Sequence, residues 1–184
     1  MSERIKLETP FQDSRLKELN AGDMVYISGT IYSARDAAHK KMCELADDNQ
    51  PMPFDFHGTA VYYAGPCPAK PGEPIGSVGP TTSGRMDLYS PALIKKGLKV
   101  MIGKGLRSKE VTDSIVEHGG VYFAAIGGAA ALMAKCVKSA KVIAFDELGT
   151  EAIRELVVKE LPVIVAIDSK GVNMYQKAIE ENRE

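Results

Sequence analysis

The sequence carries little excess charge of either sign and few cysteines. Its 184 residues contain 23 lysines and arginines against 24 aspartates and glutamates, for a formal net charge of −1. Because no basic field is present to attract phosphates or anionic lipid headgroups, we expect no nucleic-acid or membrane partner. The three cysteines, Cys43, Cys67 and Cys136, are an odd number without paired short spacing. This argues against a disulfide framework and favours a reduced compartment.

Long hydrophobic runs are also missing. The residues that follow Met1 lack the continuous apolar core of a signal peptide, and the longest apolar run, 121–133, is interrupted by Gly127 and Gly128. We therefore expect a cytoplasmic protein. Hydrophobic residues make up 45% of the sequence and charged residues 26%, as in ordinary soluble proteins. The length suits one domain with a sizeable core, so a single domain over residues 1–184 is predicted.

The sequence does contain apolar segments. Some have the hydrophobic period of a strand and others that of a helix, and the two kinds alternate along the chain. Strands are predicted at 24–33, 59–64, 74–78, 98–102, 121–126, 142–145 and 163–167, and helices at 13–19, 35–45, 86–96, 108–115, 129–137, 151–157 and 175–182. This alternation predicts an α/β domain with a mixed sheet and a substantial parallel component in its second half. The first half is richer in strands, so a second, partly antiparallel sheet is plausible there.

The segment 79–87, with the sequence GPTTSGRMD, lies between a predicted strand end and a predicted helix start. The first amides of a helix lack intrahelical partners and carry partial positive charge, so this position favours an anion. Gly84 would let a ligand approach the backbone closely. Thr81, Thr82 and Arg85 would add hydroxyl and guanidinium donors for a carboxylate or a phosphate. The alternative is a loop that only caps its own helix.

Two further cations follow predicted strands. Arg35 comes just after the strand at 24–33, and Lys104 follows the strand at 98–102. Ligands of α/β folds gather at the carboxyl ends of strands, so Arg35, Arg85 and Lys104 could converge on one small dicarboxylate. The alternative is that they are three unrelated solvated charges.

Asp36 and His39 are candidates for orienting Arg35 or for relaying a proton. His39 lies four residues after Arg35, on the same face of the predicted helix. The alternative is that Asp36 is a first-turn acid favoured by the helix dipole and that His39 is a polar surface residue.

The three cysteines could suggest the thiolate ligands of a hydro-lyase iron–sulfur cluster. Cys43 and Cys136 fall inside predicted helices, Cys67 lies between prolines, and no close run of ligands is present. We interpret them as small buried hydrophobic residues and predict no metal site on this chain.

The motif at 79–87 resembles the signature of the C-terminal catalytic domain of class I, iron–sulfur-dependent fumarases, which in many organisms is a separate β subunit. L-tartrate dehydratase β subunits are close relatives. Residues 28–30 with 34–39, 64–66 and 102–105 resemble the same family in the same order. The resemblance covers nearly the whole chain and implies the swivelling β/β/α fold, a layered domain that docks on a larger partner.

The resemblance also implies an activity, the reversible hydration of fumarate to L-malate. A fumarase α subunit would carry the 4Fe-4S cluster, which this chain would not bind, and the chain alone would be inactive. Arg35, Arg85 and Lys104 match the family's carboxylate-binding residues, and Thr81 matches its proposed base. One alternative is an L-tartrate dehydratase β subunit, which tends to carry a larger residue in place of Gly84. The other is a non-catalytic anion-binding module.

Overall fold

The computed structural model describes residues 4–125 and 130–181. The strands in these ranges are β1 (Ile5–Glu8), β2 (Met24–Ser33), β3 (Ala60–Tyr62), β4 (Val100–Gly103), β5 (Val121–Ala125), β6 (Val137–Ala144) and β7 (Ile153–Ile167). The α-helices are α1 (Asp13–Glu18), α2 (Asp36–Asp47), α3 (Ser90–Lys95), α4 (Lys109–His118), α5 (Ala130–Cys136) and α6 (Met174–Glu181). Two 3-10 helices lie at Ser83–Met86 and Asp146–Glu151.

The seven described strands form one mixed sheet in the order β1-β2-β3-β4-β5-β7-β6. Strands β1 to β5 pair in parallel, whereas β7 is antiparallel to β5 and β6. Strand β7 also pairs with β2 along nearly its whole length, from Met24–Ile164 to Ser33–Arg154. The sheet therefore closes on itself through β2, β3, β4, β5 and β7, which gives a mixed α/β architecture with a barrel-like sheet.

Both faces of the sheet are apolar, and they bury two separate clusters. Side chains alternate along each strand, so Ile102 belongs to one cluster and its neighbour Met101 to the other. The cluster with Ile102 fills the inside of the closed sheet. The cluster with Met101 also contains Met42 of α2, Leu93 of α3 and Ile115 of α4, so these helices pack on the outer face.

Helix α4 shows how local sequence sets the boundaries near the carboxyl ends of the strands. The Ser108 side chain accepts a hydrogen bond from the Val111 amide and caps the helix, whose start was predicted at residue 108. The helix ends at Gly119, whose φ of 68° lies in the left-handed region that favours glycine. The loop between β4 and α4 is therefore short and is fixed by the Ser108 cap at its α4 end.

The predicted helix at 151–157 is wrong, because these residues include the first part of β7. Their mixture of acidic and apolar residues fits a helical period, but the backbone pairs with β2 on one side and with β6 on the other. Ile153, Leu156 and Val158 are buried in the structure. Pairing on both edges thus outweighs local helix preference.

The predicted strand at 74–78 is also wrong. This stretch folds back on the preceding loop, where the Cys67 amide donates to the Ser77 carbonyl at 2.9 Å. A Cβ atom on Gly76 would lie 2.4 Å from the Cys67 carbonyl oxygen, so the two backbones touch.

The suggested second sheet is wrong as well, and in the second half the predicted parallel component is limited to the β4–β5 pair. Parallel pairs join the first five strands, the last two strands pair antiparallel, and all seven belong to one sheet. The layered β/β/α arrangement stays a prediction. None of the helices in residues 4–125 and 130–181 has the length and apolar character needed to cross a lipid bilayer.

Candidate active site at the carboxyl ends of the parallel strands

The motif at 79–87 lies across the carboxyl ends of β3 and β4. Pro80 pairs with Ala64 just beyond β3, and Thr82 pairs with Lys104 just beyond β4. Between them, the Thr81 amide donates to the Tyr63 carbonyl at 2.7 Å. These backbone contacts place Thr81 and Thr82 directly beside Lys104.

The motif does not open an α-helix, so the predicted helix start at residue 86 is wrong. Ser83–Met86 is a single 3-10 turn, and α3 begins only at Ser90. Pro91 explains this start, because proline is favoured in the first turn of a helix and lacks the amide that a continuing helix would need. Any anion at the motif would therefore be held by side chains and by loop amides.

Ser83 joins the motif to the loop after β4. Its amide donates to the Lys104 carbonyl at 2.9 Å, and its buried Oγ accepts from the Lys104 amide at 3.0 Å. The Tyr122 hydroxyl lies 2.9 Å from the same Oγ. A Cβ atom on Gly103 would lie 2.0 Å from Ser83 Oγ, so this close approach requires glycine. The two loops are consequently fixed relative to each other.

Arg35 sits two residues beyond β2 and is the N-cap residue of α2, the strand-to-helix junction that the sequence predicted. Its Nη2 lies 3.1 Å from Oε1 of Glu151, and its side chain is 23% exposed. The Arg35 side chain packs on Gly65, where an added Cβ would lie 3.0 Å from Arg35 Cδ. Because Gly65 follows the Ala64–Pro80 pair, Arg35 lies next to the base of the motif.

Asp36 and His39 follow Arg35 in the first turn of α2. Asp36 Oδ1 lies 3.6 Å from Arg35 Nε, and both atoms are buried without a hydrogen-bond partner among the described residues. His39 is fully buried, so the alternative that it is a polar surface residue is wrong. Its Nδ1 lies 2.8 Å from the Arg35 carbonyl, which can only accept, so Nδ1 carries a proton.

The His39 ring is held neutral by its surroundings. Burial is the main cause that lowers its pKa from 6.5 to about 4, and the Arg107 charge lowers the pKa further. With Nδ1 protonated, Nε2 carries a lone pair, and it has no hydrogen-bond partner within the described ranges. His39 thus secures the carbonyl of Arg35 and keeps a free acceptor nitrogen.

Arg85 and Lys104 are exposed at the rim of this site. Among the described residues, no carboxylate lies within ion-pair distance of either side chain. Backbone pairing therefore brings Thr81, Thr82 and Lys104 together, and Arg35 joins them through Gly65. Arg85 lies in the 3-10 turn of the same motif, and Gly84 beside it is exposed.

The chain that carries this arrangement matches a known protein family. The family model described as "Fumarase C-terminus" matches residues 1–178 of the chain. The chain belongs to the fumarase C-terminus family.

Curated members of this family are similar along most of the chain. It is 40% identical over 182 residues to fumarate hydratase 2 of Leishmania major, a match that covers 97% of this chain and 32% of that protein. Identity to the anaerobic class I fumarate hydratase of Escherichia coli is 37% over 180 residues, covering 96% of this chain and 33% of that enzyme. The chain thus spans about a third of the length of these relatives.

A shorter member of the fumarase C-terminus family matches over most of both chains. The putative L(+)-tartrate dehydratase subunit beta of Methanocaldococcus jannaschii is 42% identical over 168 residues, which cover 88% of this chain and 86% of that protein.

The three cysteines of the present chain do not fit an iron–sulfur cluster site. Cys43 lies in α2 and Cys136 in α5, both partly buried, whereas Cys67 is exposed, so the expectation that all three are buried is wrong for Cys67. Burial raises the pKa of the Cys43 and Cys136 thiols and so disfavours the thiolate that iron requires. Within the described ranges, no three His, Cys, Asp or Glu side chains are grouped as metal ligands.

Sequence reasoning missed several residues that build this site. Glu151 falls in the predicted helix at 151–157, whereas in the structure it pairs with Arg35, which is distant in sequence. Arg107 and Tyr122 lie beneath the motif and were not singled out. Asp87, the last residue of the motif, was the one local signal, since a carboxylate next to apolar residues predicts a buried partner.

Proposed function

We propose that residues 1–184 form one catalytic domain of the fumarase C-terminal type, acting as the β subunit of a hydro-lyase that interconverts fumarate and L-malate. The observation that carries this proposal is the juxtaposition of Thr81 with Lys104 beside Arg35, at adjacent strand ends. Three cations and a central hydroxyl match a short diacid, which needs anchors for two carboxylates and a group that handles a proton between them.

The cations divide into two kinds of anchor. Arg35 is half-buried and already paired with Glu151, so its guanidinium is oriented before a ligand arrives. Arg85 and Lys104 are exposed, and a carboxylate would pair with them directly. Thr82 would add a hydroxyl donor beside Lys104, and Gly84 would leave room for the ligand.

In the dehydration direction, Thr81 Oγ1 would take the proton from the carbon next to one carboxylate, while hydroxide leaves the neighbouring carbon and the double bond forms. A threonine alkoxide is costly, so the Lys104 and Arg85 charges would have to stabilise it. Asp36 is proposed to pass the proton onward, since its buried Oδ1 is an acceptor without a described hydrogen-bond partner, and the neutral His39 is proposed to orient Arg35 by donating from Nδ1 to the Arg35 carbonyl.

We propose that a fumarase α subunit completes the enzyme and carries the 4Fe-4S cluster. The chain spans about a third of the class I relatives, and its own cysteines do not fit a cluster. A docking surface is supported by Leu88 and Leu106, which are 84% and 54% exposed and flank the buried Asp87–Arg107 ion pair. The chain alone would then be inactive.

An L-tartrate dehydratase β subunit is the second candidate. It is favoured by the similarity to the putative Methanocaldococcus jannaschii subunit, of which 86% is covered. Both candidates use the same diacid-binding residues, so they differ in substrate and share the architecture of the site.

The test uses the chain co-purified with its iron–sulfur partner polypeptide. Malate and tartrate turnover would be compared for the parent pair and for Thr81→Ala, with Thr112→Ala in α4 as a matched control. We expect Thr81→Ala to lower kcat by about 100-fold or more, the size of a lost general base, while Thr112→Ala keeps the parent rate.

Near-parent turnover by Thr81→Ala would remove Thr81 from the mechanism. Faster turnover of tartrate than of malate by the parent pair would favour the second candidate. If the parent pair binds neither diacid in calorimetry, the chain is better described as a non-catalytic module.

A further inference from the structure

The most deeply buried charge near the site belongs to Arg107, which the proposed reaction does not use. Its side chain is fully buried. Nε donates to Asp87 Oδ1 at 2.6 Å, and Nη2 donates to Ser90 Oγ at 2.8 Å. The guanidinium also lies 5.3 Å from the Tyr63 ring centre and 4.9 Å from that of Tyr122. A buried charge is stable only where hydrogen bonds and cation–π contacts such as these compensate for its lost hydration.

These contacts connect the two loops that carry Thr81 and Lys104. Asp87 ends the motif at 79–87, and its Oδ2 also accepts from the Ser108 amide at 2.6 Å. The motif is therefore joined to the loop after β4 at Asp87, and it is joined a second time at Ser83.

Tyr63 and Tyr122 extend the connection toward the candidate site. The Tyr63 carbonyl holds the Thr81 amide, and its ring packs on Arg107. The Tyr122 hydroxyl lies within 2.9 Å of Ser83 Oγ and 3.0 Å of the Gly105 carbonyl. The Arg107 guanidinium thus contacts the rings of two residues that hold the loops of the site, Tyr63 through its backbone carbonyl and Tyr122 through its hydroxyl.

Stability alone is a weak reason for this arrangement, since well-packed apolar side chains of similar volume often stabilise a protein as well as a buried ion pair does. A planar guanidinium provides fixed directions, which a packed apolar side chain does not. The directions here point at Asp87 of the motif and at Ser90, the first residue of α3, from a residue of the loop after β4.

We propose that Arg107 is a positioning residue that sets the placement of Thr81 against Lys104 for the proposed hydro-lyase reaction, without touching the substrate. This inference rests on the proposed function for its effect on turnover. Its structural part, the clamp between the two loops, can be measured separately.

The test compares Arg107→Lys and Arg107→Met with the parent in the complex with the iron–sulfur partner polypeptide. Lysine keeps the charge but cannot bond Asp87 and Ser90 together in one plane. If position matters, both variants lose about 100-fold in kcat, the cost of a small misplacement of reacting groups, with a smaller change in KM. Arg15→Lys, at an exposed site on α1, is the matched control and should retain parent kinetics.

Amide hydrogen exchange of the same complexes provides a readout that does not depend on turnover. We expect faster exchange confined to 81–87 and 104–108 in both variants, with β2 unchanged. Parent-like kcat for Arg107→Lys would overturn the proposal, and so would exchange that is unchanged in the two loops. An inactive parent complex would refute the proposed function, and the exchange data would then decide on the clamp alone.

Discussion

Acidification should destabilise this protein through His39. The side chain is fully buried and neutral, and burial lowers its pKa from 6.5 to about 4. Because the folded-state pKa is the lower one, the unfolded chain takes up this proton first as the pH falls. The contribution of His39 to stability is therefore complete above pH 6.5 and is lost between pH 6.5 and about pH 4.

The magnitude follows from the two pKa values. Between pH 7.5 and pH 4.5, proton uptake by the unfolded state alone lowers the free energy of unfolding by about 2.5 kcal/mol. This is a large part of the total stability of a domain of this size. Replacing His39 with glutamine removes the titration and leaves an amide that can still donate to the Arg35 carbonyl.

The assay is urea unfolding of the parent chain and of His39→Gln at several values between pH 7.5 and pH 4.5. The variant is expected to be the less stable of the two at pH 7.5, because it packs less well against Tyr63. The difference should shrink by about 2.5 kcal/mol at pH 4.5, since the carboxylates titrate equally in both proteins. A stability difference that stays constant across this range would refute the reasoning.

Three further predictions concern two glycines and two exposed leucines. Gly103→Ala should lower stability by roughly 2 kcal/mol or more because its Cβ would overlap Ser83 Oγ, and thermal unfolding will measure the loss. Gly84→Ala should leave thermal unfolding unchanged, since its Cβ would meet the nearest atom at 3.9 Å, but it should weaken malate binding by filling space beside Arg85. Leu88→Ser and Leu106→Ser should weaken binding of the proposed α subunit by roughly tenfold each, as measured by interferometry.

The controls for these variants come from the same fold. Val116 of α4 is 44% exposed and lies outside the loops of the site, so Val116→Ser should leave partner binding intact. Equal stability losses for Gly84→Ala and Gly103→Ala would contradict the steric argument. Unchanged partner binding in Leu88→Ser would remove that leucine from the proposed docking surface.

The positions of the motif, Arg35 and Lys104 relative to the strands could be predicted because their signals are local. A cluster of glycine and polar residues that follows an apolar segment identifies 79–87 as a candidate site. The predicted positions of Arg35 and Lys104 after strand ends agree with the structure. The start of α2 after a strand was visible from the change in hydrophobic period. Each of these features is encoded within about ten consecutive residues.

The remaining features depend on partners that are distant in sequence. The first part of β7 is a strand because β2 and β6 pair with its two edges, and no local pattern reports this. The Arg107–Asp87 ion pair and the Arg35–Glu151 contact likewise join separate segments. A buried arginine and an exposed one look identical in a sequence, so burial of Arg107 could be known only from the fold.

The length and central place of β7 constrain the order in which the protein can be completed on the ribosome. Strand β2 pairs with it from Met24–Ile164 to Ser33–Arg154, so β2 waits for most of the chain to be synthesised. Until then a nascent chain exposes an unpaired strand edge next to apolar side chains, the kind of surface that recruits other chains. Chaperones that cover this edge during translation should raise the soluble yield, and ribosomes stalled just before β7 should release aggregating fragments.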